Sequence, residues 1–420
     1  MNRVGIAPIH GIRQNALAFT MLIAVNLFVG SMVGMERTIL PLIGEEEFQL
    51  ASASATLSFI ISFGFSKAIV NYFAGALAER FGRKKVLLTG WMIGFLVPLL
   101  VIFAQYWWVI VVANIFLGVN QALTWSMTVN MKIDLVKPNE RGLAIGLNEA
   151  AGYIGLSAAA AISGYVASIY SYRPEPFILG LGFAFIGFIL SIGVKSTEAY
   201  LSLQRVSSIQ PVYHSKGTIF KMVTWRNRTL SSCSIAGMAT DLKDGLAWGL
   251  FPLFLSDRGL NIGEIGLVVS VYPTTWGAFQ LVTGYMSDRW GRKPLIVTGM
   301  ILQAIALIWI ACSDALGEWI IGAFALGLGT ALVYPTLQAS ISDVAEPTWR
   351  ASAMGVYRFW RDCGYAFGAL LAGLIADIVS PQWTIAILAS IPLAAAFQSM
   401  IRMKETLMSE DENIHRMGTV

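Results

Sequence analysis

The chain is poor in the side chains that do chemistry. Its 420 residues include 3 cysteines and 3 histidines. Cys233, Cys312 and Cys363 stand in or beside apolar runs without CxxC spacing, so they read as small packing residues. His10, His214 and His415 fall in terminal or linker stretches, and no Cys/His cluster points to a metal. No stretch matches GxxxxGK(S/T), which removes a P-loop as a direct route to ATP energy. Charge is scarce too: charged residues make up 13% of the chain against 56% hydrophobic, with a mean hydropathy of +0.64. That balance excludes an ordinary soluble domain. No enzymatic activity, cofactor or metal is expected from this inventory.

What the chain has in quantity is apolar length. A bilayer core takes about 20 apolar residues as a helix. Twelve segments qualify: 16–35, 53–77, 86–104, 106–129, 143–168, 177–194, 230–256, 265–286, 295–312, 319–339, 351–376 and 383–401. Six precede and six follow a polar stretch, Lys195 to Arg228, the only connection long enough to join two halves. The expected architecture is an all-α membrane protein: a six-helix bundle over 1–194, a linker over 195–228 and a second six-helix bundle over 229–420. The first apolar run is of spanning length with no small-residue cleavage site after it, so no cleavable signal is expected.

Basic residues set the orientation. Arg3, Arg13, Arg80, Arg83, Lys84, Lys85, Lys137, Arg141, Arg289, Arg292, Lys293, Arg350, Arg402, Lys404 and the linker cations all fall on one side, and only Arg173 and Arg258 on the other. The positive-inside rule then predicts a plasma (inner) membrane protein with both termini cytoplasmic. Topology accounts for the net charge of +4, so nucleic acid is not an expected partner.

The chain also repeats itself. Gly75-Ala-Leu-Ala-Glu-Arg-Phe-Gly-Arg-Lys-Lys85 returns 209 positions later as Gly284-Tyr-Met-Ser-Asp-Arg-Trp-Gly-Arg-Lys-Pro294. The same offset relates Arg141–Gly146 to Arg350–Gly355 and Asp134 to Asp343. A constant offset across several landmarks means two copies of one unit. In a membrane, matched halves predict rocking motion around a site on the axis between them.

The doubled loop resembles the Gly-x-Leu-x-Asp-Arg-x-Gly-Arg-Lys signature of the major facilitator superfamily, found between its second and third helices and again between the eighth and ninth. The resemblance covers nearly the whole chain. It implies twelve helices in two pseudo-symmetric bundles and secondary transport by alternating access, by a monomer. It also implies gating loops at Gly75, Glu79, Arg80, Gly82 and Arg83 and at Gly284, Asp288, Arg289, Gly291 and Arg292. Gly75 and Gly284 would let another helix approach, and Glu79 and Asp288 would accept hydrogen bonds from a helix N-terminus or pair with Arg83 and Arg292. The first copy departs in carrying Glu79 for Asp. Anchoring to anionic lipid headgroups is the plainer alternative. The family's proton antiporters carry an Arg four residues before a fourth-helix Gly, where this chain has Asn114 before Gly118. Their fifth-helix glycine pattern appears as Gly146, Gly152 and Gly155 without its proline.

The ionisable groups inside the spans carry the functional expectation, because such groups are costly in a bilayer. Asp241, Lys243 and Asp244 lie near mid-depth of the seventh segment; Arg358, Arg361 and Asp362 make one stripe of the eleventh; Lys67 and Glu149 lie in the second and fifth. The eight sum to zero formal charge, which favours mutual pairing. Arg358 and Arg361 can grip an anionic group, and Asp241 and Asp244 can share one proton. Structural salt bridging between helices is the alternative, and the family's adjacency of helices 2 and 11 implies a Lys67–Asp362 pair. Nearer the surfaces, Glu36, Arg37, Lys132 and Asp134 read as end-anchors reaching water or each other, while Asp134 and Asp343 can touch the basic loops. Trp107, Trp108, Trp225, Trp290, Trp319 and Trp383 fit an interfacial aromatic belt. Asn114, Trp125, Trp248, Trp276 and Trp360 are candidates to line a cavity.

Three functions fit. The first is a proton-driven exporter of small amphipathic organic compounds. The second is an importer or facilitator for a small polar or anionic solute that uses the arginines. The third is a non-transporting membrane sensor or scaffold on the same fold. The partners expected are a small-molecule substrate, protons and the lipid bilayer.

Overall fold

A computed structural model describes residues 10–137, 140–200, 215–345 and 349–407, apart from the side chains of Ala76, Glu79, Arg141 and Ala351. Arg3, His214, His415 and the Glu79 side chain therefore lie outside the described residues.

Twelve long helices carry the fold. The first half holds α1 (Ala16–Arg37), α2 (Ser58–Phe81), α3 (Arg83–Gly94, prolonged by Leu96–Ile102), α4 (Trp107–Leu135), α5 (Arg141–Ile169) and α6 (Glu175–Gly193). The second holds α7 (Arg228–Asp257), α8 (Ile262–Trp290), α9 (Arg292–Cys312), α10 (Leu316–Val344), α11 (Arg350–Ala376) and α12 (Pro381–Leu388, prolonged by Ser390–Arg402). Nine helical stretches among the described residues are long and apolar enough to cross a membrane. The three helices left out, α2, α7 and α11, hold seven of the eight expected ionisable groups; only Glu149, on α5, lies elsewhere.

Local chemistry sets the boundaries. Gly82 (φ +88°) ends α2 and Gly291 (φ +95°) ends α8, each in a backbone conformation that other residues adopt only with strain. Asn227 caps α7 by accepting from the Thr229 and Leu230 amides, Ser380 caps α12, and Asn261 with Glu264 closes a capping box on α8. Several helices outrun their apolar segments: α4 continues to Leu135 and α8 to Trp290. Among the described residues four short elements fall between the spans. One is a helix, Leu40–Glu46, after α1; another is a turn of helix, Ala53–Thr56, before α2. In the linker, Lys216–Lys221 runs into a π-helical turn, Met222–Arg226.

The duplication is visible in the packing. Within the first half α1 packs on α5 and α2 on α4; within the second α7 packs on α11 and α8 on α10. The halves meet through α5 against α8 and α2 against α11. Gly64 permits one crossing, since a Cβ there would lie 2.8 Å from the Ala366 amide nitrogen. Outward-facing Ile69, Phe103, Phe185, Ile189, Ile305 and Phe397 are exposed, as a lipid-facing wall requires.

The seam is sealed at the end away from the doubled basic loops. There Asp377, just past α11, accepts from the Ala53 amide (2.5 Å) and the Ser54 hydroxyl (2.5 Å) of the other half. Burial is the largest single influence and opposes ionisation, but the donors from Ser54 and Ala53 together outweigh it and hold the Asp377 carboxyl below the ordinary carboxylate value. Gly373 packs on the Ser54 backbone, and Gly249 of α7 on Leu57 and Ile60.

Candidate functional site

Helical spacing puts Asp241 and Asp244 one turn apart on α7, and Arg358 with Arg361 and Asp362 one turn apart on α11. Asp362 is fully buried and joins the halves. Its Oδ1 accepts from Arg361 Nε (3.0 Å) and Nη2 (2.6 Å) on its own helix, and it lies 3.5 Å from Lys67 Nζ on α2. Its Oδ2 accepts from Asn71 Nδ2 (2.7 Å), and Asn71 Oδ1 in turn accepts from Ser126 of α4 (2.9 Å). Arg361 also donates to the Tyr334 hydroxyl (2.5 Å) and lies 3.6 Å from Asp241. The implied Lys67–Asp362 pair is therefore present, within a network of five helices.

Lys243 and Asp244 form a second cluster, closed within the second half. Lys243 pairs with Asp244 and donates to Tyr272 of α8 (2.5 Å) and Thr330 of α10 (2.9 Å), while the Tyr272 hydroxyl donates to Asp244. Asp241 and Asp244, the expected proton-sharing pair, take separate partners: Asp244 engages Lys243 of its own helix and Tyr272 of α8, and Asp241 lies 3.6 Å from Arg361 of α11.

In the first half Glu149 (α5) uses one oxygen only. Oε1 accepts from Trp125 Nε1 (2.9 Å) and Asn148 Nδ2 (3.3 Å), while Oε2 is buried without a partner. Lys132 donates to Asn148 Oδ1 (2.5 Å). Lys132 is 1% exposed, which corrects its reading as an end-anchor: α4 continues past it, so it sits inside the bundle. Glu36 and Arg37 correct the same way, being fully buried because the chain turns into the Leu40–Glu46 helix instead of reaching water. The Arg37 guanidinium lies 4.6 Å from the Phe63 ring centroid and 5.6 Å from that of Tyr365.

Between the halves lies a cleft lined by Lys67, Asn71, Gln121, Trp125, Ser126, Glu149, Tyr153, Tyr334, Arg358 and Arg361. Its empty volume is about 400 Å³ counting the part open to solvent, but the space available to the centres of water molecules is about 30 Å³. That is room for roughly two waters. An organic solute needs the halves to part further. Tyr153 of the cleft lies 3.6 Å from Trp276, their rings tilted by 31°, and Trp276 stacks on Tyr272 behind it.

The cavity expectations divide. Trp125 lines the cleft, but Trp248 and Trp276 are buried in aromatic packing behind it, and Asn114 is fully buried with its amide on the Ile110 carbonyl. Trp360 lines a separate apolar pocket with Thr224, Ser234, Ile235 and Met238, and donates to Thr224. Trp319 leaves the expected aromatic belt: it is 2% exposed and packs on Phe254, whereas Trp108, Trp225, Trp290 and Trp383 are exposed. Asn71, Gln121, Ser126, Tyr153 and Tyr334 went unnamed in the sequence because they are uncharged. The duplication offered a signal for one, since Tyr334 stands 209 positions after Trp125.

The basic loops repeat in three dimensions. Arg83 pairs with Asp134, and Arg292 with Asp343 (3.1 Å) and Asp288 (2.5 Å). Each turn is met by a glutamate that follows the last helix of its own half. Glu405 accepts from the Arg292 and Lys293 amides (2.8 and 3.1 Å), and the Glu198 carboxylate lies against Gly82. Burial opposes ionisation of Glu405, but its amide donors hold the carboxyl below the ordinary value. Arg80 and Arg289 lie over Phe81 and Tyr285. The expected close helix approach at Gly75 and Gly284 is absent in this conformation: nothing lies within 4 Å of a Cβ built at either. Among the described residues no His, Cys, Asp and Glu group is disposed to hold a metal.

Residues 18–241 and again 233–412 match the Major Facilitator Superfamily model. The chain belongs to the major facilitator superfamily. Multidrug resistance protein MdtG of Proteus mirabilis is 26% identical over 328 residues, covering 76% of this chain and 78% of MdtG. The probable 4-methylmuconolactone transporter of Cupriavidus pinatubonensis is 22% identical over 313 residues, 72% of this chain and 70% of that one. The crystal structure of the nucleoside transporter NupG (D323A mutant) superposes with a TM-score of 0.71 over 92% of this chain and 100% of that one, at 13% identity. That likeness fixes the superfamily fold: twelve helices in two six-helix bundles. As a superfamily member the chain is a multi-pass membrane protein of transporter type, with the mid-membrane network at the seam of its halves.

Proposed function

We propose that this protein exports small organic solutes by alternating access, coupled to protons, with the basic loops and both termini on the cytoplasmic side. The observation that carries the reading is Asp362, fully buried on α11 and bonded to Lys67 and Asn71 of the other half. A charge pair across a moving seam cannot be inert, because separating the halves there leaves buried charges unpaired, at a cost of about 3–5 kcal/mol. A change in the charge of a neighbour is what can offset that cost. Arg361 bridges Asp362 and Asp241, so a proton on Asp241 frees the guanidinium to turn wholly to Asp362 or to a solute. The transporting unit in this reading is the monomer, since both walls of the cleft belong to one chain. The basic loops are the gates in this reading: Arg83 pairs with Asp134 and Arg292 with Asp343 inside their own halves, and the loops would engage across the seam once the cytoplasmic side closes. MdtG, a multidrug resistance protein by name, favours efflux.

Import of an anionic solute is the second reading, favoured by Arg358, which lines the cleft and makes no ion pair among the described residues. Proteoliposomes under an imposed pH gradient decide between them. Solute movement should follow the proton gradient in the antiport direction, and Asp241→Asn should remove the dependence. Transport indifferent to both the gradient and the substitution would overturn proton coupling at this site.

A further inference from the structure

The groups lining the cleft differ in how fully they are engaged. Lys67 faces Asp362, and Arg361 is divided among Asp362, Asp241 and Tyr334. Two charges of opposite sign remain. Glu149 keeps its buried Oε2 without a hydrogen bond, although its Oε1 is held by Trp125 and Asn148. Arg358 has its buried Nε unpaired and, among the described residues, makes no ion pair with Glu149 or any other acid. The two stand 209 positions apart, so the duplication places them at equivalent points of α5 and α11, one on each half. The same cleft is lined by aromatic rings from both halves: Trp125 and Tyr153 of the first are 5.5 Å apart, and Tyr153 lies 6.3 Å from Tyr334 of the second.

We infer that the cleft is built for an aromatic or otherwise apolar zwitterion, its cationic group on Glu149 and its anionic group on Arg358. This deepens the transport reading and rests on it. A solute with one charge satisfies one half and leaves the other charge of the cleft unmatched. A solute with both charges binds both halves at once, and drawing them together is what occlusion requires. The Glu149 side is prepared for the role: Lys132 makes no ion pair with it among the described residues but donates to Asn148 Oδ1, which turns the Asn148 amide as a donor to Glu149 Oε1 and leaves Oε2 open. The Arg358 side offers a planar fork suited to a carboxylate or phosphonate.

Three near-isosteric probes test this on the whole protein in nanodiscs: phenylalanine (zwitterion), phenethylamine (cation) and 3-phenylpropionate (anion), with binding followed by calorimetry. Phenylalanine should bind roughly 10-fold or more tightly than either single ion, since each added charged contact carries about that factor. Glu149→Gln should lower phenylalanine to the level of 3-phenylpropionate and leave the anion within about 2-fold; Arg358→Gln should do the converse. The double variant Glu149→Arg with Arg358→Glu should recover phenylalanine binding, because the solute can turn round. Equal affinities for the three probes, no binding of phenylalanine, or a Glu149→Gln variant that weakens the anion as much as the zwitterion would each overturn the inference. Ethidium movement in proteoliposomes of the same preparation keeps the two readings apart: ethidium transported with no zwitterion preference sinks the inference alone, and zwitterion binding without any transport sinks the transport reading.

Discussion

Two ion clusters lie at similar depth and differ in what they span. Lys243 and Asp244 are neighbours on α7, enclosed by Tyr272 and Thr330 of the same half. Asp362 and Arg361 tie α11 to α7 and α10, and across the seam to α2. In the proposed cycle, with one half rocking against the other, the first cluster moves as a body and keeps its contacts, whereas the second exchanges partners. Burial therefore does not distinguish a structural charge from a working one; what distinguishes them is whether the partners belong to one rigid unit or to two.

Substitution sharpens the contrast. The largest effect is expected at Arg361. Arg361→Ala leaves Asp241 buried without its cation and Asp362 with Lys67 alone, and transport should fall below about 1% of wild type, a loss of roughly 3 kcal/mol or more, while protein still reaches the membrane. Full activity measured in vesicles would reduce the α11 stripe to packing.

The opposite signature is expected next, at Lys243. Lys243→Met should lower thermal stability and yield, by about 3 kcal/mol, because Asp244 is stranded. The double variant Lys243→Met with Asp244→Leu should restore folding and much of the transport, read by thermal unfolding and vesicle uptake. A double variant that folds and does not transport would erase the distinction between the clusters.

The smallest effect is expected at the sealed end. Asp377→Asn should weaken closure by about 1 kcal/mol or less, since the contacts are exposed. The sign with pH follows from the lowered carboxyl. Closure gains from ionised Asp377 in full above the ordinary carboxylate value of 3.8, and the gain is lost as pH falls through the lower value of the closed state. Cysteine cross-linking between the two halves at this end should decline in acid for the wild type and be flat for Asp377→Asn.

Much of the architecture was legible in the residues. Apolar runs of spanning length located the twelve helices, and the 209-residue offset announced the two bundles and related Asp134 to Asp343, which the structure sets against Arg83 and Arg292 of the basic loops. The costly mid-membrane charges pointed to helices that the structure joins at the seam, Lys67 of α2 meeting Asp362 of α11. The sequence erred where composition stands in for position. Lys132 and Arg37 were read as surface anchors because apolar segments stop near them, but helices continue for reasons of capping and packing that hydropathy does not register. Partner choice was illegible as well: Asp241 and Asp244 share a face, yet the residues that claim each come from α11, α8 and α10, which helical spacing cannot reveal. The uncharged lining of Asn71, Ser126 and Tyr153 carried no cost signal, so nothing in the string set it apart.

The glutamates behind the two basic turns carry a practical consequence. Glu198 is protected by its place in mid-chain, whereas Glu405 stands only three residues beyond the final helix. Any truncation, protease site or purification tag placed directly after Arg402 removes the anchor of one loop and spares its twin. A protein prepared that way would rock with a lame side, and its rates would report on the handle chosen by the experimenter as much as on the carrier.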